Sequence, residues 1–256
     1  GAQRMAADAA QSKVPQIPPG PLEGASKLEE ATLEDVPDSD ALGAWLNQRG
    51  VDTSRWGEGG TKPVGKFWKE LKLREAGLEV WRKADGTLQP VRVTHVLRAK
   101  VCSAKSYERG IFLFNTWQQF ADGRRRTRNA LLSEKLSVAE TPIEEHLDEV
   151  CRRAITEEEM QVVVEAAFAL MPGDDPPEFD PDRECPIRVE RNMLIDYAIE
   201  VENSKSFPGL LTMYHLYTVD IVCSGLPGVD FGTLEFDEPD KDGDRQLKYL
   251  HAWSWL

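Results

Sequence analysis

The stretch from Leu132 to Met160 constrains this 256-residue chain more than any other segment. It contains charged and apolar residues at a characteristic spacing: Glu145, Arg153, Ile155, Glu157 and Glu158. On a helix, positions 154, 157 and 158 share one face, because residues three and four apart are neighbours. Carboxylates at all three positions would bind Mg²⁺ through oxygen ligands and let the ion polarise a bridging phosphate. Position 154 is Ala154, so such a site lacks its third carboxylate.

The segment 139–161 resembles a degenerate Nudix box. The family pattern is Gly-x5-Glu-x7-Arg-Glu-U-x-Glu-Glu-x-Gly-U, in which U is an apolar residue. The five residues named above match it, and four residues depart from it: Ala139, Ala154, Met160 and Gln161. The resemblance implies an α/β (α+β) fold with a Nudix-like mixed β-sheet sandwiched by helices. It also implies structural roles for three residues of the box, Glu145, Arg153 and Ile155. In the family, the residue that matches Ala154 supplies a metal ligand or base, and a methyl group can do neither.

Two functions are compatible with this resemblance. The first is a catalytically degenerate domain that acts as a binding or structural subunit, with Glu157 and Glu158 on a solvated acidic face. The alternative is a Mg²⁺-dependent pyrophosphohydrolase acting on a nucleoside diphosphate linked to another group. There, Glu157 and Glu158 would bind the metal, and Glu200 or Glu202 would replace the missing acid. The departures favour the first function, so we expect no catalytic residue and no cofactor, with Mg²⁺ only if the protein is active.

The sequence contains one dense basic cluster, formed by Arg124, Arg125, Arg126 and Arg128. Guanidinium groups bind phosphate and carboxylate through paired hydrogen bonds, so this cluster could hold a phosphate or an acidic partner. An exposed turn after Asp122 and Gly123 explains the same residues about as well. Both interpretations stay open, because the cluster leads directly into the segment that carries the box.

The acidic balance of the chain limits its partners. The chain has 44 Asp and Glu residues against 31 Lys and Arg residues, which gives a formal net charge of -13. Because phosphate backbones would repel such a chain, we expect no nucleic-acid partner. No apolar run reaches the length of a membrane span, so we expect no membrane-spanning segment. Three further elements, Trp56-Gly57, Asp122-Gly123-Arg124 and Leu132-Ser133-Glu134-Lys135-Leu136, resemble Nudix-like proteins of plants and algae. That resemblance implies an intracellular protein and allows an organellar location such as the chloroplast.

Cysteines and histidines give no sign of a metal centre. The four cysteines lack the spacing of a zinc site and suit a reducing compartment as unpaired thiols: Cys102, Cys151, Cys185 and Cys223. The histidines also lack metal-binding spacing. Two of them, His95 and His215, fall in predicted strands, where we expect neighbouring side chains to satisfy them.

The chain divides into an arm and a domain. Residues 1–36 are rich in Ala, Gln, Pro and Glu, which predicts an extended arm that serves as a linker or joins the protein to a partner or larger assembly. Residues 37–256 form the predicted Nudix-like domain with an N-terminal helical extension. Capping residues and apolar spacing predict two helices before residue 72 and a third from Thr141. The predicted strands begin at Pro90 and include 111–120, 187–201, 211–223 and 247–256.

Overall fold

The computed structural model describes residues 20–157, 160, 162–164, 185–236 and 246–256. Within these residues the protein is an α+β protein with four helices and eleven strands, so the predicted fold class is confirmed. The helices are α1 (Ser39–Gln48), α2 (Val64–Lys72), α3 (Ala104–Tyr107) and α4 (Leu147–Thr156), and 3-10 turns occupy Val138–Glu140 and Ile143–Glu145. The strands are β1 (Ser26–Glu30), β2 (Gly77–Arg82), β3 (Leu88–Cys102), β4 (Leu113–Phe120), β5 (Arg125–Ala130), β6 (Leu132–Leu136), β7 (Val162–Val164), β8 (Arg188–Asn203), β9 (Leu211–Ser224), β10 (Phe231–Phe236) and β11 (Leu247–Trp255).

The strands form two sheets. The first has six strands in the order β1-β2-β3-β9-β8, with β6 paired to β3. The second has the order β5-β4-β11-β10-β7, and all its neighbouring pairs are antiparallel. Across the described residues, no helix has the length and apolar character needed to cross a membrane.

The chain divides into two compact units, which we call the first unit and the second unit. The first unit comprises residues 1–97, 135–142 and 196–217, and the second comprises residues 98–134, 143–195 and 218–256. Helices α1 and α2 belong to the first unit, whereas α3, α4 and the whole second sheet belong to the second.

Helices α1 and α2 form where the sequence predicts them. Asp38 caps α1, because its Oδ1 accepts a hydrogen bond from the backbone N–H of Ala41 at 2.8 Å. Helix α2 begins directly after Pro63, whose backbone is extended. Both helices bury apolar residues at helical spacing in one core, in which the ring of Phe67 lies 5.1 Å from that of Phe207.

A buried carboxylate in α2 joins this helix to the first sheet. Glu70 accepts hydrogen bonds from Nε and Nη2 of Arg92, at 3.0 and 2.7 Å. Its other oxygen lies 3.1 Å from Nζ of both Lys62 and Lys135. Burial acts to raise the pKa of Glu70, but the charges of Arg92, Lys135 and Lys62 outweigh it and hold that pKa below its usual value. Glu70 is therefore ionised and bound to residues of β3 and β6.

The predicted arm is partly ordered against the first sheet. Residues 26–30 form β1, which pairs antiparallel with β2. Just before it, Leu22 is buried against Trp81, Val91, Leu211 and Met213. Residues 1–19 lie outside the described residues. The described part of the arm therefore contributes a strand and an apolar anchor to the first unit.

In the second unit, the turn at Asp122 and Gly123 joins β4 to β5, as predicted. Gly123 has a φ of +83°, a conformation that glycine adopts without a steric cost. At the other end of the sequence, β11 places Trp253 completely inside the unit, where its Nε1 donates to Oγ1 of Thr233 at 2.8 Å. Trp253 is therefore part of the core of this unit, whereas Trp255 is only partly buried.

We expect Glu70→Gln to lower the free energy of unfolding by about 3 kcal/mol, because it leaves the buried guanidinium of Arg92 without its counter-charge. Urea denaturation at neutral pH measures the effect. The matched control is Glu75→Gln, since Glu75 is 41% exposed and pairs with Lys135 at 3.3 Å. That variant should lose less than about 1 kcal/mol. Equal losses in the two variants would contradict a structural role for the buried charge.

Candidate functional site

Helix α4, which carries Arg153, Ala154 and Ile155, is a core helix of the second unit. Four of its residues fall at helical spacing and are completely shielded from solvent: Val150, Cys151, Ala154 and Ile155. Asp148 and Glu149 in the first turn suit the positive end of the helix dipole. The apolar spacing that predicted a helix here is confirmed for these four residues, and Ala154 is one of them; the helix begins at Leu147, not at Thr141 as predicted, and Leu147 is only partly buried.

Glu157 lies at the end of this helix and faces solvent. Helix α4 ends at Thr156, and Glu157 follows as its C-terminal cap with half of its side chain exposed. Its Oε1 accepts a hydrogen bond from Nη1 of Arg152 at 2.7 Å. Because Ala154 is buried and Glu157 is exposed, the two positions do not share an open face. Glu158, the other predicted metal ligand, lies outside the described residues.

The residues implied to be structural occupy different environments. Arg153 donates from Nε to Oε1 of Glu134 at 3.3 Å, which connects α4 to β6. Ile155 is buried in the core, whereas Glu145 is exposed in the 3-10 turn before the helix. Arg153 and Ile155 thus help to fix the helix in place.

No metal centre is assembled within the described ranges, where no three His, Cys, Asp or Glu side chains are placed to hold an ion together. Glu200 and Glu202, the candidates to replace the missing acid, are exposed residues of β8 in the first unit. Glu157 belongs to the second unit. Of the residues predicted to bind metal, only Glu157 is described, and it forms an ion pair with Arg152.

An open groove of about 700 Å³ lies beside α4 in the second unit. The helix contributes Asp148, Arg152 and Thr156, which follow one another at intervals of four, and β8 contributes residues 188–192. Asn192 donates from Nδ2 to Oδ1 of Asp148 at 2.7 Å. The groove is therefore lined by the polar face of the helix, opposite the face that buries Ala154.

Two of the predicted arginines sit beside the ring of Phe120. Arg124 binds Oδ2 of Asp122 through Nε at 2.7 Å, and Arg126 donates from Nε to Oε1 of Gln118 at 2.6 Å. The guanidinium carbon of each lies 5.2 Å from the centre of the Phe120 ring. Both arginines are exposed, and they alternate along the chain, so they lie on one side of the strand.

The other two arginines are less exposed. Arg125 is half-buried, donates from Nε to Oε1 of Gln119 at 2.6 Å, and stacks 4.0 Å from the centre of the Trp117 ring. Arg128 is also half-buried, further along β5. The structure thus separates the predicted cluster into an exposed pair and two residues that pack against the sheet.

The fold brings the four scattered cysteines into one region of the second unit. Burial raises the pKa of Cys223 to about 12, and the nearby thiols of Cys102, Cys151 and Cys185 add to this effect. Cys102 also donates to the carbonyl of Ile221 on β9, at 3.6 Å. All four thiols are unpaired. Since a thiol with a raised pKa stays protonated, these residues are poor nucleophiles and serve as small apolar side chains.

Two histidines and two tyrosines form a stack in the first unit that no sequence signal predicted. The rings of His95 and His215 are stacked with centres 4.5 Å apart, and those of Tyr197 and Tyr217 are 4.8 Å apart. The hydroxyl of Tyr217 lies 3.2 Å from Nδ1 of His95, and that of Tyr197 lies 2.5 Å from Nδ1 of His215. The expectation that neighbours satisfy these histidines is confirmed.

A buried polar chain crosses three strands of the second sheet. Nδ2 of Asn115 lies 2.8 Å from Nδ1 of His251, and Nε2 of His251 lies 2.7 Å from Oε2 of Glu235. Lys248 completes the chain at the other oxygen of Glu235, at 2.5 Å. Burial acts to raise the pKa of Glu235, but the bonds from His251 and Lys248 hold it below its usual value. Asn115, His251 and Glu235 lie far apart in the sequence and form no motif, so the sequence does not predict this network of polar side chains.

Comparison with known proteins adds no family assignment: no family model matches the chain, and no curated protein matches it.

We expect Ala154→Glu to destabilise the protein by several kcal/mol, because it buries a carboxylate without a partner in a closed core. Ala154→Gln is the control for size, since it overfills the same space without a charge. Thr156→Glu, at the polar face, should cost less than about 1 kcal/mol. Thermal and urea unfolding of the three variants measures the order of their stabilities. If Ala154→Glu is as stable as Thr156→Glu, position 154 is open to solvent and the assignment is wrong.

We expect the free energy of unfolding to fall as the pH decreases from about 6.5 to about 4. Burial, followed by the neighbouring His215, lowers the pKa of His95 to about 4, from an ordinary value of 6.5. In this pH range the unfolded chain therefore binds a proton at position 95 that the folded protein excludes, so acid favours unfolding.

Urea unfolding at several pH values, for the wild type and His95→Gln, measures this dependence. The difference between the two curves isolates His95 from the carboxylates that also titrate in acid, and it should correspond to uptake of about one proton on unfolding. Parallel curves would contradict the depressed pKa.

Proposed function

We propose that this protein is a non-catalytic domain of Nudix-like ancestry that acts as a binding or structural subunit of a larger assembly. The observation that carries the proposal is the complete burial of Ala154 on the core face of α4. In the Nudix pattern this position supplies a metal ligand or base. Here it packs the helix against the interior of the second unit.

The contacts of the other box residues support the same function. Arg153 binds Glu134, and Glu157 binds Arg152, so these charged residues stabilise the helix and its end. The pair of Arg152 with Glu157 engages a carboxylate that a metal-pyrophosphate site would use as a metal ligand. A helix whose charged residues are used in this way fits a structural role better than a catalytic one.

Two parts of the chain suit contact with other proteins. The proline-rich residues before Leu22 lead into an apolar anchor on the first unit. In the second unit, Arg124 and Arg126 form an exposed basic pair in a chain with a net charge of -13. A local charge opposite to that of the whole protein favours an acidic protein partner over nucleic acid.

A Mg²⁺-dependent hydrolysis screen over nucleotide sugars, dinucleoside polyphosphates and ADP-ribose tests the proposal. We expect no turnover above that of Glu157→Gln and Glu158→Gln, because Ala154 cannot supply the third carboxylate. Turnover in the wild type that either substitution abolishes would identify a pyrophosphohydrolase and overturn the proposal. Circular dichroism spectra of all three proteins confirm that folding is unchanged.

A further inference from the structure

We propose that a small pocket of the first unit binds a free aliphatic amino acid such as leucine. The side chain of the ligand enters the pocket, and its ammonium and carboxylate groups lie at the rim against Glu30 and Arg74. All residues that line this pocket belong to the first unit, whereas helix α4 belongs to the second. The inference therefore goes beyond the proposed function and does not depend on it.

The pocket forms where three segments of the first unit meet. These segments are residues 30–36 after β1, residues 71–78 at the end of α2 and the start of β2, and Val138 in the first 3-10 turn. The pocket is partly open and has a volume of about 100 Å³. A cavity of about 150 Å³ accommodates benzene, and a water needs only about 10–15 Å³. The pocket thus has room for an aliphatic side chain and is too small for an aromatic one.

The floor of the pocket is apolar and closed to solvent. It consists of four residues of the buried core, each at most 9% exposed: Val36, Leu71, Ala76 and Leu78. An aliphatic group placed on this floor removes apolar surface of both partners from water, which favours binding. A polar side chain would lose its hydrogen bonds to water there without replacing them. The floor therefore selects an aliphatic side chain.

The rim of the pocket carries two opposite charges. Glu30 and Arg74 both line the pocket, and both are exposed. Oε2 of Glu30 lies 3.7 Å from Nζ of Lys27, whereas its Oε1 lies over Gly77, 3.9 Å from the position that a Cβ would take there. Since Gly77 also lines the pocket, this carboxylate oxygen is beside the opening. A ligand that matches the rim has one positive and one negative group next to an aliphatic side chain, which describes an amino acid.

The backbone of Arg74 gives independent support for a use of its side chain. Arg74 has a φ of +59°, a conformation that is strained for every residue except glycine. It directly follows the C-cap of α2, a position that glycine usually occupies. Hydrogen bonds to Leu71 at 3.0 Å and from Val138 at 2.7 Å fix this conformation. Strained residues of this kind are concentrated at ligand sites, and here the strain places a guanidinium at the rim of a pocket.

The two rim charges distinguish a free amino acid from a segment of a protein. The last residue of a chain brings a carboxylate to Arg74 but no ammonium group to Glu30, and the first residue brings only the ammonium group. An apolar side chain inside a chain brings neither. Because only the free amino acid matches the floor and both charges, it should bind more tightly than any analogue that lacks one of these groups.

A nuclear magnetic resonance titration of the full chain, with labelled valine and leucine methyl groups, tests the proposal. The probe is L-leucine, and we expect a dissociation constant on the order of 0.1 to 1 mM, because the ligand is small and its charges stay near water. The methyl signals of Val36, Leu71 and Leu78 should shift. Leucinamide lacks the carboxylate and isocaproic acid lacks the ammonium group, so each should bind about threefold to fivefold more weakly. Glycine, which lacks the side chain, should not shift these signals.

Variants at the rim separate the two charges. Arg74→Gly should weaken leucine binding about threefold to fivefold. Its melting temperature should not fall, since glycine adopts a positive φ without strain. Glu30→Gln should weaken the binding of leucine and leave that of isocaproic acid unchanged. Arg74→Lys keeps the charge and should retain most of the binding. The control is Arg55→Gln, because Arg55 is an exposed arginine of the same unit that pairs with Glu58, and this variant should bind leucine as the wild type does.

Three results would refute the inference: no shift of the pocket signals at any soluble concentration of leucine, equal binding of leucine and both analogues, or unchanged leucine binding in Arg74→Gly. The second and third would mean that the pocket accepts any aliphatic group and that its rim charges select nothing. None of these measurements involves Mg²⁺ or hydrolysis, so failure of this site and failure of the non-catalytic assignment are separate outcomes.

Discussion

The ion cluster around Glu70 is the interaction on which the architecture of the first unit depends. It joins α2 to β3 and β6 through Arg92 and Lys135, and it lies where water cannot replace a lost partner. A buried ion pair contributes less to stability than an apolar contact of the same size, but breaking it is costly. Each partner is therefore needed once the cluster is formed, since removing one leaves a buried charge without its counter-charge. In the second unit, Glu235 with His251 and Lys248 forms a comparable buried carboxylate cluster within the sheet.

Short-range sequence patterns predicted the helices and turns whose formation depends on neighbouring residues. The two N-terminal helices, predicted from capping residues and apolar spacing, and the glycine turn before β5 depend on neighbours in the sequence, and the structure contains all three. The same holds for the buried face of α4. Each of these features depends on the spacing of apolar or turn-forming residues within a short segment, so a single sequence is enough to predict it.

Features that depend on distant residues were not predictable in this way. Strands β7 and β10 were not among the predicted strands, and their places are set by pairing between distant segments, β10 with β11 and β7 with β10, so the second sheet did not emerge from the sequence. The convergence of the four cysteines depends on the path of β3, α4 and β9. For the candidate site, the sequence located the box and its missing acid. Only the structure gave the burial of Ala154 and the pairing of Glu157 with Arg152.

The burial of Ala154 also has a consequence for how this chain can change over generations. A single substitution that introduces a carboxylate at this position would place it in a closed core, where a charge without a partner would destabilise the protein. A carboxylate could be accommodated here only together with further changes that open the core around α4. Selection for a folded domain would remove such single variants, so the packing of the helix itself keeps a small apolar residue at position 154.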